Sequence, residues 1–161
     1  MSWSASGFTS FLPTATLLSA LNNATALNFS SDTTKIALFS NTVTPTPDTA
    51  AQAYNVAPWN ANEVNNGGGN WPVGGPTLGS PTLANTTGQG GVLSYTASNV
   101  SAASVTIAAA RGALIYDSTI SSLGIAAIYF GGDFTSTVGT FAITWGTANG
   151  VSSTVWWIST V

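Results

Sequence analysis

The chain has 161 residues, enough for one domain with a buried core, and 44% of them are hydrophobic while only 4% are charged, against about 25% charged in ordinary soluble domains. Lys35 and Arg111 are the only cations beside five carboxylates, for a net charge of −3. That balance argues against binding the phosphates of nucleic acids through Lys/Arg clusters and against a polybasic face for anionic membranes. With no cysteine and no histidine, disulfides, thiolate chemistry and the commonest general base are also excluded.

Polarity must instead come from Ser, Thr, Asn and Gly. So uncharged a surface offers little repulsion between copies, which suits life inside an assembly. The N-terminus, Met1-Ser-Trp-Ser-Ala-Ser-Gly-Phe8, lacks the cationic and long apolar regions of a secretory signal. No apolar run approaches the length of a membrane-spanning helix. The Asn-x-Ser/Thr triplets at Asn23, Asn28, Asn85 and Asn99 are therefore read as unglycosylated.

In chain order, residues 1–30 form a helical segment or arm. Phe8, Phe11 and Leu12 stand at helical spacing, Pro13 interrupts, and Leu17, Leu18 and Leu21 resume it, which predicts one or two short helices packed on a sheet. From Thr34 to Ser40 the period becomes two, the mark of a strand. Residues 41–90 are a long Pro/Asn/Gly-rich excursion containing Tyr54, Trp59, Glu63 and Trp71, with a short edge strand from Pro76 to Leu83. Its aromatic residues either pin it to the body or reach a partner. Across 91–158 antiparallel strands are predicted at 91–97, 104–108, 111–117, 123–130, 139–145 and 152–158, separated by Ser/Gly/Asn/Asp breaks. The expected fold is a single all-β domain over 1–161, an antiparallel β-sandwich or jelly-roll-like barrel with one or two short N-terminal helices.

The residues offer little chemistry. No serine has a plausible base beside it, and no Gly-x-Ser-x-Gly elbow occurs. Asp117 at a strand end and Asp133 in a predicted Gly131-Gly-Asp133 turn could approach as a hydrolytic pair, but carboxylates in such places are usually turn formers. A calcium site would need Asp133 together with neighbouring loop carbonyls, a minor reading beside the turn, and nothing resembles an EF-hand loop; Gly67-Gly-Gly69 is no phosphate loop. The expectation is a protein with no catalytic residues, no metal and no cofactor.

Arg111 stands inside an apolar strand and needs an anion. Paired as a hairpin, strands 111–117 and 123–130 place Arg111 opposite roughly Tyr129, which leaves Asp133 or Glu63 to complete a buried ion pair within the chain, the alternative being a tie between subunits. Partner contacts fall to Trp59, Trp71 and Tyr54 in the excursion and to Trp156 and Trp157, which face opposite sides of the last strand.

The order Lys35-Ile-Ala-Leu-Phe39, Tyr54-Asn to Asn62-Glu-Val64, Thr106 to Asp117 with Arg111-Gly-Ala-Leu-Ile-Tyr, Phe130-Gly-Gly-Asp133 and Gly139-Thr-Phe-Ala-Ile-Thr-Trp145 resembles a family of small virion structural proteins of tailed bacteriophages, especially phages of actinobacteria. The likeness spans about residues 35–158. It departs from the pattern in the Trp/Pro/Gly-rich segment between Glu63 and Val92 and in the aromatic C-terminus. The resemblance implies a β-rich subunit of the virion, assembled in the host cytoplasm as a capsid decoration or minor capsid protein. Its expected partners are the major capsid protein or other virion proteins and further copies of itself, with no nucleic acid and no membrane. The alternative from another class is a tail- or fibre-associated receptor- or carbohydrate-binding module that stacks sugars on Trp59, Trp71 and Tyr54.

Overall fold

Alternating apolar residues from Thr34 to Phe39 form strand β1, and five of its six residues are buried. In a strand that is possible only where both faces are covered, and the rest of the architecture supplies those covers. The computed structural model describes residues 10, 12–43, 45–46, 52–65, 69–86, 91–148 and 151–159. Helix α1 (Thr14–Leu21) precedes β1 and is followed by β2 (Glu63–Val64), β3 (Thr82–Asn85), β4 (Val92–Thr96), β5 (Val100–Asp117), β6 (Leu123–Ile143), β7 (Gly146–Ala148) and β8 (Val151–Ser159). They make two antiparallel four-stranded sheets, ordered β2-β1-β5-β6 and β3-β4-β8-β7. The fold is an all-β sandwich with one short helix, as the sequence predicts. Of the predicted helical segment, Phe8 and Phe11 lie outside the described residues.

The sandwich core lies between the sheets. Ile36, Leu38, Val105, Ile107, Ile115 and Phe141 from one sheet meet Tyr95 from the other and Ala97 just past its strand β4 there. Tyr95 stacks on Trp156, and Phe29 meets both edge-on. Each such aromatic contact adds about 0.5–1.5 kcal/mol beyond area burial. On the opposite face of the first sheet, Ala37, Phe39, Leu114, Tyr116 and Ala127 form a second cluster with Val43 and Trp59. The Pro/Asn/Gly-rich excursion is thus a partial third layer that covers the outer face of β1 and β5, which is why the predicted loop carries so many aromatic residues.

Several sequence expectations change, and the short edge strand expected from Pro76 to Leu83 lies instead at Thr82–Asn85. The predicted strands 104–108 and 111–117 are one 18-residue strand, and 123–130 and 139–145 are one strand of 21 residues. The small residues that look like breaks are β-bulges instead. Register shifts fall between Ala102 and Val105, Val105 and Ile107, Ile107 and Ala110, Ala110 and Gly112, and Ile115 and Tyr116. Ser104, Ala109 and Val138 take left-handed backbone angles at these shifts, and the extra residue at each bulge raises the twist and bends the hairpin. Gly131-Gly-Asp133 accordingly forms no turn. It belongs to a four-residue stretch of β6, Phe130 to Asp133, that stands opposite Arg111 alone. The predicted 152–158 strand gains a short partner, β7, that the sequence did not suggest.

The excursion is anchored by close backbone approach. Gly75 has φ of +71°, and a Cβ there would fall on the Ile36 carbonyl group. Gly75→Ala is expected to cost more than about 2 kcal/mol, from left-handed strain and from pushing the excursion off β1. Equal urea midpoints for the variant and the parent would show that this approach is not needed.

Candidate functional site

The residues singled out by sequence fall into three separate places. Arg111 is on the surface of the hairpin, where its Nε donates to Asp133 Oδ1 at 2.6 Å. Its side chain is 18% exposed and that of Asp133 45%. Asp133 first, and then Tyr129, hold the guanidinium above its already high pKa. The pair therefore differs from the buried tie expected from sequence: water screens it, and its work is to bridge the bulge at Phe130–Asp133. Glu63 takes no part in it.

Glu63 belongs to a cluster on the outer face of the first sheet. Its Oε2 accepts from the Tyr54 hydroxyl at 2.7 Å, and its Oε1 accepts from the Gly74 N–H at 2.7 Å. Tyr54 stacks on Tyr116 with ring centroids 4.6 Å apart, and the Tyr116 hydroxyl donates to the Gly74 carbonyl at 2.8 Å. Two aromatic rings, a carboxylate and one glycine thus close a ring of contacts that staples the excursion to β5. Both oxygens of Glu63 are already engaged, so the carboxylate is poorly placed to act as a base. Burial, then hydrogen bonding to Glu63, raises the Tyr54 pKa, and burial followed by the charge of Glu63 pushes Tyr116 up to about 12.

Trp59 and Trp71 are fully buried. Trp59 packs edge-on against Phe39, and its Nε1 donates to Gln52 Oε1 at 3.0 Å. Trp71 meets Phe141 edge-on, and its Nε1 has no partner among the described residues. Neither ring offers a face to a sugar or a protein. Trp156 is half-buried against Tyr95, while Trp157, on the other side of β8, is 47% exposed. Of the five aromatic contact candidates, Trp157 is the one that faces water openly.

Two further features carry no motif. Gln52, 1% exposed, also donates from Nε2 to the Thr46 carbonyl, and its own carbonyl accepts from Gly124 N–H. The side-chain amide thus ties the excursion together, and the backbone carbonyl of the same residue joins it to β6. Asp117, also 1% exposed, accepts from the N–H groups of Thr119 and Ile120 at 2.8 and 3.1 Å, an Asx-type turn of the kind its sequence position suggests. What the sequence does not suggest is the neighbour: Asp32, 85 positions away in the chain, hydrogen-bonds to the Asp117 carboxyl. Its own Oδ2 accepts from the Asn28 N–H at 2.7 Å. Burial first, and Asp32 as well, raise the Asp117 pKa against the pull of the two N–H groups. Asp117 and Asp133, the hydrolytic pair weighed above, have separate partners. Among the described residues no group of three or more His, Cys, Asp or Glu side chains could hold a metal ion. Asp48 lies outside the described residues.

Because the folded pKa of Asp117 exceeds its unfolded value, its contribution to stability is fully present below the ordinary value of 3.8 and lost as pH rises through the folded value. Asp117→Asn keeps the acceptor and supplies a permanent donor to Asp32. It should stabilise the protein at about pH 7 and lose that advantage at about pH 4, as measured by urea unfolding at both. A gain of equal size at both pH values would count against the assignment. Tyr54, Tyr95 and Tyr116 also have folded pKa values above their unfolded value of 10.0. Their stabilisation is intact below 10 and falls as pH rises above it. Absorbance titration should show these three phenols ionising together with unfolding, and three phenols titrating near 10 in folded protein would contradict the packing.

Compared with family models, with curated proteins and with solved structures, the chain has no match. A functional assignment has therefore to come from the residues themselves.

Proposed function

We propose that this chain is a non-enzymatic structural subunit of a tailed-bacteriophage virion, a capsid decoration or minor capsid protein that seats on the major capsid protein or another virion protein. The observation that carries this reading is the set of large apolar side chains held in water on strands almost without charge, Phe134 at 51% and Val138 at 73% exposure on β6 of the first sheet and Trp157 at 47% on β8 of the second. Interface cores are depleted in charge and enriched in aromatic residues, and apolar side chains presented by a rigid sheet lose little conformational entropy on docking.

The polar groups support the same reading. Glu63 is spent on Tyr54 and Gly74, Asp117 on its turn and Asp32, and Asp133 on Arg111. These are arrangements that hold backbone in place. The resemblance in the Arg111 strand and the Gly139–Trp145 stretch points the same way. A sugar-binding module built on Trp59, Trp71 and Tyr54 draws no support from two buried indoles and a phenol stacked on Tyr116. No helix among the described residues is long and apolar enough to cross a membrane.

Virus particles produced from the genome that encodes this chain are expected to contain it in a fixed, multiple-copy ratio to the shell protein. Quantitative mass spectrometry of purified particles reads that ratio, and a particle reconstruction should show the sandwich at symmetry-related positions. Substituting Trp157 by Ser should lower occupancy while leaving the melting temperature of the free protein nearly unchanged. Particles that lack the chain would overturn the proposal.

A further inference from the structure

We infer that the open edge of β6 beyond Tyr129 is a site for a second copy of this chain, with the two β6 strands adding edge to edge, antiparallel, across a two-fold axis. The inference rests on the assembly reading above and names one partner and one surface for it. β6 is the last strand of its sheet, so one side of its backbone is left without a neighbouring strand.

The first part of that side is closed from within the chain. Gly124 N–H donates to the Gln52 carbonyl, and Ala53 forms an isolated bridge with Leu123. Thr16 Oγ1 donates to the Gly124 carbonyl at 2.6 Å, and Tyr129 N–H donates to Ser10 Oγ at 3.0 Å. After Tyr129 no further contact of this kind is made among the described residues. From Phe130 to Ile143, the side-chain hydrogen bonds seen among the described residues all join β6 to β5: Asp133 and Thr135 accept from Arg111 and the Ala109 N–H, while Ser136 Oγ and the Val138 N–H donate to the Val105 carbonyl and Thr106 Oγ1. An open groove of about 360 Å³ lies along this stretch, lined by Phe130, Phe134, Thr140, Phe141, Ile143 and Thr144 among others.

Charge and symmetry select the occupant. From Phe134 to Val161 the sequence contains no Asp, Glu, Lys or Arg. The edge thus lacks the lysines and prolines that normally keep exposed strands apart, and it presents nothing to attract a charged peptide. The bulge at Thr137–Val138 is a partial guard, because it bends the strand. It leaves Gly139 to Ile143, about the length of an ordinary strand, where the one register shift, opposite Thr140, has its extra residue on β5 and none on β6. A two-fold axis sets this run against itself, apolar and threonine side chains on both sides, with reciprocal contacts and no like charges opposed.

Sedimentation of the full chain over a concentration series should show a reversible dimer. Thr140→Lys and Phe134→Lys, both at exposed positions, should each weaken it about tenfold or more without changing the melting temperature. In the unaltered protein, amide exchange over 139–143 should slow as concentration rises, which reads the edge without any substitution. A chain that stays monomeric throughout, or a dimer indifferent to both lysines with unchanged exchange at 139–143, would overturn the inference. A β6 dimer that never enters a particle sinks the proposed function and keeps this one. A monomer found inside particles does the reverse.

Discussion

The structure depends on the ladder between β5 and β6. One antiparallel hairpin of 18 and 21 residues supplies a wall of the inter-sheet core along most of its length. Near its turn, β5 also supports the excursion on its outer face. Side chains alternate faces, so a slip of one residue would exchange the core set for the water-facing set. The bulges keep this from happening over so long a ladder. The first three alternate between the strands: an extra residue on β5 near Ser104 is undone by one on β6 near Val138, and β5 gains one again near Ala109. Val105, Ile107 and Ala110 thereby all remain buried.

Arg111 is best understood in that setting. It faces the largest irregularity of the ladder, where four β6 residues oppose one on β5, and its bond to Asp133 ties the end of that stretch back to the strand. Most of the other polar ties are neutral or carry one charge. Gln52 holds the excursion to β6, while the ring of Tyr54, Glu63, Gly74 and Tyr116 holds it to β5. In a chain with 4% charged residues, burial without ion pairs avoids the large desolvation cost of fixed charges. The exception is Asp117 beside Asp32, where burial favours the protonated acid and stability becomes pH-dependent.

The low charge that makes this interior possible also determines the outside. With little repulsion to keep copies apart, control of association falls to shape, strand edges and bulges. β6 shows both conditions on one strand: its first residues are capped by Gln52, Thr16 and Ser10, and its later ones border an apolar groove. Trp157 adds an exposed aromatic face on the second sheet.

Composition and period-two alternation were enough to determine the β-sandwich class, the strands at 34–40 and 91–97, and the proximity of Arg111 to Tyr129, because these follow from local burial patterns and the geometry of a hairpin. They did not distinguish a break from a bulge at Ala108–Ala110 or at Gly131–Asp133. Small residues serve both, and only the register of the opposing strand decides between them. Nor did they reveal that Trp59 and Trp71 are core residues, since an aromatic side chain in an irregular segment carries no periodicity to show which way it faces. The Asp32–Asp117 pair, the Gln52 hub and the half of β6 that no described segment covers depend on segments far apart in the chain. Tertiary structure alone decided them, because contact between distant segments is set by how the sheets pack and leaves no local pattern in the sequence.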